Sequence, residues 1–129
     1  MLLIMTVTAL ILTACSSDDD NSEQENYSEN NSVVGTWMGY SCADGNPNDL
    51  SKKHTLTLVF NSDGSGNYLE KDDIFTDKCA FTYQMEGSTK GKTYIKTRGN
   101  TIYFVIEDGK MYVYGHGYGD DLDFLLTKQ

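Results

Sequence analysis

The chain has 129 residues, with 19 acidic and 10 basic side chains and a net charge of −9. That balance argues against nucleic acid or an anionic lipid surface as an electrostatic partner. One break in composition, near residue 32, leaves room for a single folded domain.

Residues 1–14, MLLIMTVTALILTA, carry no charge and are almost wholly apolar. The run is shorter than the roughly 20 residues a membrane-spanning helix needs. It has the length of the apolar region of a secretory signal and ends in small residues. No Lys or Arg precedes it, which fits a start site upstream of Met1. A buried amphipathic helix does not fit, because the run has no polar stripe. Residues 16–32, SSDDDNSEQENYSENNS, then hold six acids and no base, so the rest of the chain carries only −3. Such a stretch cannot bury enough apolar surface to offset its ordering entropy, and a disordered tether is predicted. As a flexible coil it would reach about 20–25 Å.

From Val33 onward, short alternating runs separated by glycine-rich turns predict an all-β domain over residues 33–129. The expected strands are VVGTWMGYSC (33–42), HTLTLVFN (54–61), NYLEKD (67–72), CAFTYQM (79–85), TYIKTR (93–98), TIYFVIE (101–107), KMYVYG (110–115) and DLDFLLTK (121–128). Leu56, Leu58 and Phe60 share one face of their strand; Phe81, Tyr83 and Met85 share one face of theirs. The segments SDGSG and GSTKGK read as turns, and Asp108-Gly109 is a strong two-residue hairpin signal. About eight sequential antiparallel strands hide their edges completely by closing into an up-and-down β-barrel, with a two-sheet β-sandwich as the alternative.

Two stretches carry family resemblances. Leu12-Thr13-Ala14-Cys15 resembles the lipobox of bacterial lipoproteins, and Ser16-Ser17-Asp18-Asp19-Asp20 is similar to the acidic export signal of Bacteroidetes-type surface lipoproteins. The resemblance implies a signal peptide over 1–14, cleavage before Cys15, and acylation of Cys15, as with palmitate. Several acyl chains make a durable anchor, each buried methylene adding roughly 0.8 kcal/mol. The implied location is the outer membrane, with the domain displayed on the cell surface. A plain solvated spacer is the other reading of the aspartates.

Gly35-Thr36-Trp37 is similar to the G-x-W motif that opens lipocalins and small lipocalin-like domains, and LTLVFNSDGSGNYLE and FTYQMEG look like their strand-turn-strand phrasing. In that fold the tryptophan closes one end of the barrel under a basic side chain from the last strand. Here Lys128 would take that place where arginine is usual. The late T-D-x-x-Y-like turn of lipocalins is absent, and the domain is short. The resemblance implies a small apolar or amphipathic ligand within the barrel, against inward residues such as Leu58, Phe81, Phe104 and Val113.

Cysteine parity agrees with export. Lipidation of Cys15 leaves Cys42 and Cys79, most simply a disulfide in an oxidising compartment. It would close a loop of about 38 residues and stabilise by roughly 3–4 kcal/mol. Two separate buried thiols or a metal pair are the alternatives, and no CxxC supports zinc or redox chemistry.

Catalytic constellations are sparse. There is no G-x-S-x-G elbow, H-E-x-x-H or phosphate-cradling glycine loop, so no enzyme is expected. His116 with Asp120, Asp121 and Asp123 has ligand types suited to a cation, but Asp and Gly are also ordinary turn residues. No metal or cofactor is expected. Glu70, Asp72 and Asp73 read as a solvated strand edge rather than a carboxylate pair for glycoside hydrolysis. Tyr103, Tyr112 and Tyr114 crowd one hairpin, where cross-strand packing explains them without a ligand. The expected role is binding. The alternative is a structural protein with a filled barrel that meets a protein or glycan through its outer surface.

Overall fold

A computed structural model describes residues 33–129. The expected signal peptide, Cys15 and the acidic run lie outside the described residues.

Eight strands follow one another: β1 (Gly35–Cys42), β2 (Leu50–Phe60), β3 (Ser65–Lys71), β4 (Thr76–Glu86), β5 (Lys90–Ile95), β6 (Asn100–Glu107), β7 (Lys110–Tyr114) and β8 (Leu122–Lys128). Each pairs antiparallel with the next, and β1 also pairs with β8 from Trp37↔Lys128 to Ser41↔Phe124. That last ladder closes a small, lipocalin-like up-and-down barrel and excludes the sandwich, which would leave both strands as edges. The β6–β7 hairpin turns on Asp108 and Gly109, both at positive φ, as its sequence predicts.

The departures from the predicted strands have physical causes. Gly66 and Gly91, expected in turns, are strand residues lying under aromatic rings. A Cβ on Gly66 would overlap the Phe81 ring, and one on Gly91 the Phe104 ring. These glycines make room for core aromatics; they do not bend the chain. β5 ends at Ile95 because the backbone amides of Arg98 and Gly99 both turn back to its carbonyl, at 3.1 and 2.9 Å. Arg98 therefore belongs to a loop.

The expected disulfide is not formed, and Cys42 and Cys79 are free thiols. Cys79 is in register with Tyr68, Tyr68 with Leu58, and Leu58 with Trp37. Cys42 lies on β1 five residues beyond Trp37, about 16 Å along the strand and about 14 Å across three strand intervals. A disulfide tolerates a Cα separation of only about 7 Å.

The barrel has two unlike halves. One end carries Val33, the turns near residues 61–64, 87–89 and 108–109, and the C-terminus. Its interior is packed solid with Trp37, Leu58, Phe60, Phe104, Met111 and Leu126, all essentially without solvent exposure. Phe60 is the hub, with ring centroids 5.2 Å from Phe81, 5.2 Å from Phe104 and 5.0 Å from Tyr83. The other end carries the longer loops, at residues 43–49, 72–75, 96–99 and 115–121, and it is open.

Candidate functional site

The open half holds a cup of about 490 Å³, within the range of small-molecule sites. Leu56, Ile102, Val113 and Phe124 give its apolar surface. Ser41, Cys42, His54, Glu70, Arg98 and Asp123 give most of its polar one.

Two irregularities in pairing shape this rim. Between β1 and β2 the register jumps from Tyr40↔Thr55 to Ser41↔Ser51, releasing Lys52, Lys53 and His54 from the β1 ladder. Between β7 and β8 it jumps from Val113↔Phe124 to Tyr114↔Leu122, leaving Asp123 without a β7 partner. Bulges of this kind re-aim side chains at barrel rims. Asp123 and its neighbour Phe124 consequently both line the cup.

Inside, polar groups form a chain. Glu70, its side chain only 15% exposed, accepts from two neighbours: His54 Nε2 lies 2.6 Å from Oε1, and the Tyr68 hydroxyl donates to Oε2. Burial, then the Glu70 carboxylate, pushes the Tyr68 phenol far above its ordinary range. The Arg98 guanidinium lies 5.1 Å from the Tyr68 ring centroid and pairs with Asp77. His54 makes edge contacts with Phe124 at 5.0 Å and Phe75 at 5.9 Å, and its Nδ1 is 3.9 Å from Asp72. Burial raises the Asp123 carboxyl against the backbone amide of Gly115 and the His116 ring, which lower it; Asp121 and Glu70 add to the rise. Burial, then Asp123, also raises the Cys42 thiol. Neither that thiol nor the Tyr68 phenol is an ionised nucleophile at neutral pH.

Of the four residues expected to face a ligand, only Val113 reaches the cup wall. Leu58, Phe81 and Phe104 are spent on the packed half, where the aromatic rings and the glycines beneath them leave no space. Gly35, Trp37 and Lys128 do come together at that end. Lys128 Nζ stands 5.6 Å from the Trp37 ring, its stem crosses Gly35, and the indole N–H donates to the Val33 carbonyl at 2.8 Å. Glu70 is not the solvated edge residue its sequence neighbourhood suggests; of that acidic trio it is Asp73 that sits on the surface, paired with Lys53 at 3.4 Å.

His116, Asp120, Asp121 and Asp123 do not gather around a point. Asp120 and Asp121 border an outer pocket with Tyr112 and Tyr114, Asp121 and Asp123 border another with Cys42 and Asp44, and Asp123 lines the cup as well. Among the described residues no group of three or more His, Cys, Asp or Glu side chains is arranged to hold a metal ion. Tyr103 packs on Tyr118 at 5.1 Å on the outer face.

Alternation alone finds two of the cup residues, His54 and the Glu70 that reads locally as a solvated edge. Stepping back by two from Leu56 gives His54, and stepping forward by two from Tyr68 gives Glu70. Compared with known proteins, the chain matches no family model, no curated protein and no solved structure.

Proposed function

We propose that this protein is a lipid-anchored, surface-displayed lipoprotein whose barrel holds a small amphipathic molecule in its open half. The observation that carries the binding role is the cup itself, since apolar wall and convergent polar groups share one concave space. The lipid anchor rests on Leu12-Thr13-Ala14-Cys15 and the aspartates that follow. The raised Cys42 and Tyr68 groups support holding over covalent catalysis. A second reading, contact with a protein or glycan through the outer surface, is favoured by Ile74, 90% exposed on the loop beside the mouth.

The test is to weigh the purified protein under native conditions. A discrete extra mass that leaves on denaturation supports the binding role and begins to identify the ligand. A bare mass that stays bare after incubation with cell extract moves the role to the outer surface. For the anchor, Cys15→Ala abolishes partition into detergent, and unchanged partition sinks it. Changing Asp18, Asp19 and Asp20 to Ala cuts surface labelling while leaving lipidation intact; labelling that persists makes the acids a spacer.

A further inference from the structure

We infer that the molecule held in the cup is an organic cation, an amine or guanidine on a short apolar body. The inference rests on the binding role proposed above and names its ligand class.

The sign of the site follows from how its charges are spent. Among the described residues lining the cup, Arg98 is the only guanidinium or ammonium, and Asp77 already pairs with it. Two carboxylates, Glu70 and Asp123, line the same space, Glu70 with His54 Nε2 at 2.6 Å and Asp123 with His116 near enough to lower its pKa, and Asp72 stands behind His54. A carboxylate or phosphate ligand would thus meet like charge and find its one strong cation engaged. A cation would meet opposite charge in a partly enclosed space, where electrostatic attraction outweighs what it is in open water.

The same two carboxylates also weigh on neighbouring groups. Burial is the largest cause in each, but Glu70 adds to the rise of Asp123 and of the Cys79 thiol, and Asp123 to the rise of the Cys42 thiol.

The remaining chemistry narrows the class. Sugar recognition uses bare aromatic faces, and here the Tyr68 ring is covered by Arg98 while Phe124 packs against His54. Both Glu70 oxygens accept a hydrogen bond from within the protein, which fixes the carboxylate while leaving each oxygen a second lone pair for an N–H donor. Leu56, Ile102 and Val113 offer the apolar body its place. The 490 Å³ of space suits a body of one or two rings better than a long acyl chain.

The test is calorimetric titration of the intact protein with three probes of one shape, 2-phenylethylamine, 2-phenylethanol and phenylacetate. The amine binds at least about tenfold more tightly than the alcohol, and the acid binds weakest, in line with a hydrogen bond between charged groups. Raising the salt concentration weakens the amine alone. Asp123→Asn narrows the gap between amine and alcohol by about tenfold. Alcohol or acid binding as tightly as amine overturns the inference and leaves the binding role standing, as does an unchanged gap in Asp123→Asn. Failure of all three probes to bind overturns both.

Discussion

The two halves of this barrel are built from the same eight strands with the same alternation, yet one is solid and the other hollow. At the filled end the inward positions carry Trp37, Phe60, Phe81 and Phe104, and glycines at 66 and 91 let the rings reach the wall. At the open end the inward positions carry His54, Glu70 and Ile102, and the ladders of β1–β2 and β7–β8 break register. Stability is concentrated where volume is filled to interior density. At the open end the same wall is left short of side-chain volume and supplied with charge.

Phe104 and Ile102 put that contrast to its hardest test, because they are two residues apart on the inner face of β6. Phe104 is 0% exposed and packed on Phe60, so Phe104→Ala costs about 3–5 kcal/mol in urea unfolding. Ile102, 8% exposed, lines the cup. Water can take up the space that Ile102→Ala opens, so its cost stays near the low end for such truncations, about 2 kcal/mol. Equal costs would mean that the open half is packed as tightly as the filled one.

Removing the cation over Trp37 has a smaller effect. Lys128→Ala costs about 0.5–1 kcal/mol, read as a lower urea midpoint, and leaves probe binding in the cup unchanged. A change in probe binding would couple the two ends.

The smallest effect is on pH dependence. Because the folded state holds the Asp123 pKa above the ordinary aspartate range, folding favours its protonated form. Its contribution to stability is therefore lost as pH rises from about the unfolded value through the raised folded one. Above that window the charge is a cost that Asp123→Asn removes. The variant melts slightly higher than the native protein at pH 7 and no differently at pH 3. The gain stays below about 4 °C, because solvent screens a carboxylate at the rim. A lower melting temperature at pH 7 would mean that the charge is held by attraction.

Most of the fold can be read from the sequence because alternation is a local signal. Leu56, Leu58 and Phe60 point one way whatever the rest of the chain does, and Asp108-Gly109 turns the chain by itself. The errors come from residues with two uses. Glycine serves turns and close packing alike, so Gly66 and Gly91 look like turn residues until Phe81 and Phe104 are placed on them. Two cysteines suggest a bridge, but only the register between β1 and β4 shows that Cys42 and Cys79 are too far apart. The cup is half legible: His54 and Glu70 follow from extending alternation past the apolar residues. Arg98 comes from a loop, and Asp123 is aimed by a bulge. Their positions depend on barrel closure and leave no local trace.

The seat of Val33 has a mechanical consequence. Fully buried and held through the Trp37 indole, it brings the chain into the barrel at the filled end. A pull on Val33 along the barrel axis runs lengthwise down β1, which is bonded to β2 on one flank and β8 on the other. Tension thus shears two ladders together instead of peeling one bond at a time, and the load enters far from the open rim.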